Sequence, residues 1–295
     1  MKNKKVALIA LFFSPLAWST LYLFIKLCDN VNAINIAFIR FLFAGIILCP
    51  FYFLYRSKNK IKFFSYDFFI LFILIILNGV FSSLFLILCT KYSTASIGSI
   101  LINSNPIFIA ILAPFLIKEK NKMINYIGII VAFTGVIFIV SEGGNFSNLL
   151  HSNSFFGYIF GILGALSVAF SIVYLKKYFQ KYNTWTITFY IFLISAIIIG
   201  VINLLFNDYQ QLFSLPAINW LWLFLIGTIS TAFAFSAFNY GVSVIGATKA
   251  SVFKLFIPVF TVILAIIFLH ENMTWYIIIG GIMTIFGLYL VQKNN

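Results

Sequence analysis

Residues 105–135 read NPIFIAILAPFLIKEKNKMINYIGIIVAFTG, and residues 257–287 read IPVFTVILAIIFLHENMTWYIIIGGIMTIFG. At an offset of 152 positions Pro106 falls on Pro258, Glu119 on Glu271, Gly128 on Gly280 and Gly135 on Gly287. From 106 to 135, 10 of 30 positions are identical without a gap. Shared Leu and Ile mean little between apolar segments; the common register of Pro, Glu and paired Gly is the signal. Both windows share one grammar, an apolar run, a short polar turn and a second apolar run. The chain is therefore read as an internal duplication whose units are helices of membrane length.

The same offset extends toward the N-terminus, where Ala17, Ser19 and Tyr22 fall on Ala169, Ser171 and Tyr174. Composition agrees with a bilayer setting. Of 295 residues 63% are hydrophobic and only 8% charged, against roughly 25% charged in a soluble domain. Mean hydropathy is +1.09. Apolar stretches predict helices at 6–28, 33–55, 67–89, 94–117, 123–141, 155–176, 185–206, 217–239, 245–269 and 275–291. The first matches a later segment of the chain and lacks a small-residue cleavage site, so it reads as a mature helix. The expected fold is an all-α integral membrane protein with ten transmembrane helices in two repeats, 1–142 and 153–293. Five helices per repeat make the second copy enter from the opposite side, an inverted repeat of the kind secondary transporters use.

The formal net charge is +13. Its placement orients a membrane protein rather than marking a nucleic-acid surface. With the N-terminus cytoplasmic, 14 of the 19 Lys and Arg lie on the inner side, at the N-terminus, around 56–62, at 118–122, at 176–181 and at Lys293. Lys91 alone lies outside, and Lys26, Arg40, Lys249 and Lys254 fall inside helices. This asymmetry predicts both termini on the cytoplasmic side of the cell's inner membrane. Cys28, Cys49 and Cys89 lie in or beside apolar runs with no CxxC or His/Cys cluster, so neither a metal site nor a disulfide framework is expected.

At this point the residues carry a family resemblance. AWSTLYLFIK (17–26), IRFLFAG (39–45) and the two Pro…Glu…Gly…Gly segments resemble the drug/metabolite transporter superfamily, most closely its EamA-like branch. The resemblance covers nearly the whole chain. It implies transport of a small molecule, without a cofactor and without enzymatic activity. It leaves the cargo open among amino acids, nucleotide-linked compounds, sugar phosphates, choline-like cations and drugs. One departure from the family pattern is Trp18-Ser19, where Trp-Gly is usual.

Several residues are candidates for lining a pathway. Pro106 and Pro258 each delete a backbone hydrogen bond inside a helix, and carbonyls freed at membrane depth persist where protein or a wet cavity satisfies them. Both are expected to kink their helices beside a central cavity. Ser14, Trp18, Tyr22 and Lys26 form one stripe of the first helix, four residues apart. Leu166, Phe170, Tyr174 and Tyr178 occupy the same repeat positions in the sixth, and the two stripes are expected to face each other. Asn78 with Ser82, and Asn103 in the fourth helix, are polar groups to be placed away from lipid. Lys254 is the deepest charge, one turn before Pro258. An ammonium there costs about 2.5–3.5 kcal/mol on insertion scales, which a wet cavity or an anionic substrate would offset. Lys26 and Lys249 are expected to snorkel, and Arg40 to pack against a neighbour or reach the interface. The candidate substrate contacts are Trp18, Tyr22, Asn78, Ser82, Asn103, Tyr174 and Lys254.

The six acids all fall at helix ends or in loops. None is placed as a buried proton-relay carboxylate, which favours a facilitator or exchanger over obligatory proton coupling. Glu119 and Glu271 are expected to tie the turns in which they sit. His151 and His270 are far apart and in loops, so no catalytic constellation emerges. The expectation is a secondary carrier of a small anionic or zwitterionic metabolite such as an amino acid, acting as monomer or homodimer in the lipid bilayer with no nucleic-acid partner. The alternative is a carrier of a larger cationic or nucleoside-bearing compound that stacks on aromatic side chains, or of drugs.

Overall fold

The computed structural model describes residues 4–55, 65–116, 122–144, 154–182, 184–206 and 209–293. Ten helices in it are long and apolar enough to cross a membrane, and among the described residues there is no strand. They are α1 (Lys4–Leu27), α2 (Ala33–Tyr55), α3 (Tyr66–Tyr92), α4 (Ala95–Leu116), α5 (Met123–Val140), α6 (Phe155–Lys181), α7 (Thr184–Leu205), α8 (Ala217–Ile245), α9 (Lys249–Leu269) and α10 (Trp275–Lys293).

Local chemistry sets the ends. Ser65 and Thr94 are N-caps whose hydroxyls accept from the amides of Phe68 and Ile97 at 3.2 and 3.1 Å, as the preference for Ser and Thr at that position requires. α3 runs to Tyr92, past the expected end at 89. Lys91 points away and donates to the carbonyls of Cys28 and Asp29 at 3.3 and 2.6 Å, so its charge does not break the helix. α8 runs to Ile245 rather than 239. It stops at Gly246, whose φ of +89° suits a residue without Cβ, and helix resumes at Ala247.

The duplication is visible in the irregularities as well as the helices. α3 contains a π-helical segment, Ile76–Phe81, and α8 contains another, Thr228–Phe233. Both ends of the pair are separated by the repeat offset of 152. α4 breaks at a turn over Asn103 and Ser104, and α9 tightens into a 3₁₀ turn over Val252–Leu255. Pro106 is the second residue after the turn in α4, and Pro258 the third after the 3₁₀ turn in α9, so each proline lies in the first turn of the α-helical stretch that follows. Asn105 donates its side-chain amide to the carbonyl of Ile102 at 2.9 Å, replacing the donor that Pro106 lacks.

Packing follows the same symmetry. α1 lies on α8 and α9, and α6 lies on α3 and α4. The halves join through α2 against α7 and α5 against α10. The α5–α10 contact is the tightest. A Cβ on Gly135 would lie 2.6 Å from the Gly280 carbonyl oxygen, and one on Gly128 would lie 2.7 Å from that of Gly287. Gly280 and Gly287 return the same approach onto Gly135 and Gly128. These glycines let two backbones touch, the usual source of helix association in lipid.

Glu271 reaches further than its own turn. Its carboxylate accepts from the amides of Ala95 at 2.7 Å and Ser96 at 3.3 Å, and from the Ser96 hydroxyl at 2.7 Å. A residue of the second half therefore caps the first turn of α4 in the first half, where orphan amides and the helix dipole favour an anion. Glu119 lies outside the described residues.

Candidate substrate site

The stripe on α1 is buried against the second half. Ser14 donates to the Ala234 carbonyl of α8 at 2.9 Å. Thr20 shares a 2.7 Å hydrogen bond with Ser230, inside the π-helical segment of α8. Trp18 is 7% exposed and packs edge-on to Phe235 with centroids 5.0 Å apart, and tilted to Phe238 at 5.3 Å. The Lys254 ammonium lies 5.1 Å from the Trp18 ring and 4.5 Å from that of Phe238. Two aromatic faces each contribute about 0.5–2 kcal/mol to a cation in such a position. Among the described residues Lys254 has no carboxylate within 4.0 Å and no hydrogen-bond acceptor.

One turn along α1, the Tyr22 hydroxyl accepts from the Asn103 side-chain amide at 3.1 Å, and that amide also donates to the Ser99 carbonyl at 2.8 Å. Asn103 thus joins α1 to the break in α4. The Tyr22 proton meets no acceptor among the described residues. Ser82 donates back to the Asn78 carbonyl in the π-helical segment of α3. The half-buried Asn78 side-chain amide stays available.

Arg40 was legible in sequence only as a helix-internal cation; its surroundings were not. It is 6% exposed. Its Nε donates to Thr231 in the π-helical segment of α8 at 3.0 Å, and its Nη1 to Ser83, just past the π-helical segment of α3, at 3.1 Å. One side chain from α2 therefore ties together both irregular helices. Partners 191 and 43 residues away leave no mark in a local pattern.

The stripe on α6 behaves differently from expectation. Leu166 and Phe170 are 36% and 39% exposed and line an open apolar groove with Leu77, Phe81, Phe85 and Leu112 of α3 and α4. Tyr174 packs with Leu71, Leu74, Tyr182 and Ile187. Tyr178 carries no described side chain. The stripes do not face each other, because each helix turns its stripe toward the two helices on which it lies. Of the candidate residues, the structure gathers Trp18 with Lys254, Tyr22 with Asn103, and Asn78 with Ser82, and it sets Tyr174 apart.

Lys26 also departs from expectation. It donates to the carbonyls of Lys91 at 3.2 Å and Ser93, capping the C-terminal end of α3, where a cation meets the negative end of the dipole. Lys249 is exposed, as a snorkelling residue would be. No group of three His, Cys, Asp or Glu that could hold a metal occurs among the described residues.

Relatives share this architecture. A protein of Archaeoglobus fulgidus described as an uncharacterized transporter is 29% identical over 296 residues, covering 100% of this chain and 99% of its own. A Clostridium kluyveri protein with the same description is 26% identical over 269 residues, covering 90% and 85%. A solved crystal structure superposes with a TM-score of 0.64 over 98% of this chain and 96% of its own, at 15% identity, a likeness of fold. The sequence model of the EamA-like transporter family matches residues 5–141 and again 155–292, so the duplicated, membrane-spanning chain described here belongs to the EamA-like transporter family.

Proposed function

We propose that the chain is a secondary transporter, an exporter or exchanger, that carries a small anionic or zwitterionic metabolite such as an amino acid across the cytoplasmic membrane by alternating access. Both termini lie on the cytoplasmic side in this reading, which the placement of Lys and Arg supports. The repeats at 1–142 and 153–293 are the two units that rock against each other, and the breaks before Pro106 and Pro258 are where their helices bend.

The observation that carries the reading is Lys254. Its ammonium lies against Trp18 and Phe238, within a helix long and apolar enough to cross a membrane, with no acidic partner among the described residues. Removing that charge from water is costly, and a carboxylate or phosphate on the substrate supplies the missing partner. Trp18 and Phe238 form the wall beside the charge, Tyr22 offers a proton one turn away, and Asn78 and Asn103 supply neutral polar contacts toward the irregular turns.

The second reading, a larger cationic or nucleoside-bearing cargo, is favoured by the aromatic surfaces of Trp18, Phe235 and Phe238. It requires a cation to approach an uncompensated lysine, which like-charge repulsion opposes.

A thermal-shift screen of the purified protein against amino acids, sugar phosphates, nucleotide derivatives and quaternary amines tests the reading. A ligand selective for the folded state adds about 2.7 kcal/mol at a hundredfold excess over its Kd. The expected result is stabilisation by carboxylate- or phosphate-bearing compounds that disappears in Lys254→Met. Stabilisation by quaternary amines alone, unchanged in that variant, would contradict it.

A further inference from the structure

The Arg40 guanidinium has five N–H donors. Two reach Thr231 and Ser83, and the rest find no acceptor among the described residues. The guanidinium is 6% exposed, and among the described residues no carboxylate pairs with it. The Tyr22 proton likewise meets no acceptor among the described residues. The Lys254 ammonium is the third such donor group.

Arg40, Trp18 and Lys254 reach residues strung along one face of α8. Arg40 touches Thr231, Trp18 touches Phe235, and Lys254 touches Phe238. Thr231 and Phe238 are about 10 Å apart along the axis of α8. Arg40 is the eighth residue of α2, and Lys254 is the eighth of the helical run that opens at Ala247. Each is therefore about 10 Å from the start of its helix, and those starts lie on opposite faces of the membrane in the orientation proposed above. The acids among the described residues, Asp29, Asp67, Glu142 and Glu271, sit at helix ends or turns, too far out to receive a substrate ammonium at this depth.

We propose that Arg40 is a second substrate contact, binding an anionic group through its free N–H donors on the outer side of the path as Lys254 does on the inner side, and that the substrate is an organic anion of net negative charge rather than a zwitterion. The assignment rests on the transporter reading given above and narrows its cargo. Its guanidinium presents a planar fork suited to a carboxylate or phosphate. The bonds to Thr231 and Ser83 tie α2 to α8 and α3 and leave the remaining donors for the anion.

The test is the same thermal-shift assay with four probes: succinate, glycerol 3-phosphate, alanine and choline. Wild type, Arg40→Gln, Arg40→Lys, Lys254→Met and the double variant Ser83→Ala/Thr231→Val are compared. The double variant removes the structural bonds but keeps the guanidinium. The expected result is stabilisation of wild type by succinate or glycerol 3-phosphate, not by alanine or choline. Apparent affinity falls about tenfold or more in Arg40→Gln, the loss of one charge-assisted contact. It is partly retained in Arg40→Lys and changes by less than about threefold in the double variant, although that protein melts earlier. Unchanged anion affinity in folded Arg40→Gln, or equal losses in Arg40→Gln and the double variant, would reduce Arg40 to a structural tie and leave the role of Lys254 intact. Anion affinity lost in Arg40→Gln but kept in Lys254→Met would remove Lys254 and keep Arg40. If alanine stabilises wild type as well as the anions do, or neither anion stabilises it, the net-anion assignment is wrong.

Discussion

The two halves share a backbone plan down to its faults but not a chemistry. The π-helical segments recur at the repeat offset, and an irregular turn precedes each of Pro106 and Pro258. The buried charges do not. Phe192 stands in the second half where the first has Arg40, and Ile102 stands in the first where the second has Lys254. Phe170 replaces Trp18, and Leu166 replaces Ser14. Phe192 is fully buried and closes the aromatic chain between Phe41 and Phe235. The contact of α1 with α8 and α9 is accordingly aromatic, polar and cationic. Its counterpart, α6 with α3 and α4, keeps an open apolar groove. Duplication supplies the moving parts, and divergence within them places the charge on one side of the pseudo-symmetric pair.

The harshest way to break this comparison is to restore symmetry. Ile102→Lys puts an ammonium at the first-half position equivalent to Lys254, where Ile102 is 6% exposed and no Trp lies at the repeat position of Trp18. The insertion cost of about 2.5–3.5 kcal/mol is expected to appear as loss of folded protein in size-exclusion chromatography. Near-normal yield would mean that the two sites are equally able to hold a cation. Next in size is the shared seam. Gly135→Leu drives side-chain atoms into the Gly280 carbonyl, and overpacking of this kind costs about 1–3 kcal/mol. Gly45→Leu, with nothing within 4 Å of its Cβ position, should leave the melting temperature almost unchanged. Equal losses would show that the glycine pairs are not what joins the halves.

Glu271→Gln tests a carboxylate that crosses between halves. Losing the charge and one acceptor at the start of α4 should cost about 1 kcal/mol, within the range for capping residues, read as a lower melting temperature. An unchanged melting temperature would make the cap decorative. The finest comparison is Trp18→Leu against Phe170→Leu. The first removes one aromatic face from Lys254, worth about 0.5–2 kcal/mol, and should weaken the succinate or glycerol 3-phosphate shift. The second should not. A larger effect from Phe170 would move the pathway to the α6 side.

Much of the fold could be read in the chain because hydropathy, Lys and Arg placement and the Pro-Glu-Gly register are each periodic or local. The π-helical segments were not legible. One extra residue in a turn leaves an all-apolar run looking like any other, and Asn78 and Ser230 are the only polar residues that mark the same repeat position in both. The site was legible in part. Lys254 stood out as a costly charge and Trp18 as a member of a polar stripe, but their meeting across α1 and α9 is a tertiary fact. Arg40 was underrated because Thr231 and Ser83 are distant in sequence, and Lys26 because its acceptors are the carbonyls at the end of another helix. The stripes of α1 and α6 were expected to face each other on the strength of their register. Register fixes which positions are equivalent, and packing alone fixes which ones meet.

The most direct measurement is exchange in proteoliposomes preloaded with unlabelled succinate, glycerol 3-phosphate or alanine, following uptake of the same radiolabelled compound by wild type and Lys254→Met. The account predicts saturable, preload-dependent uptake of an anion by wild type, and loss of that saturation in the variant while the protein remains folded. Saturable exchange that persists undiminished in Lys254→Met would contradict it.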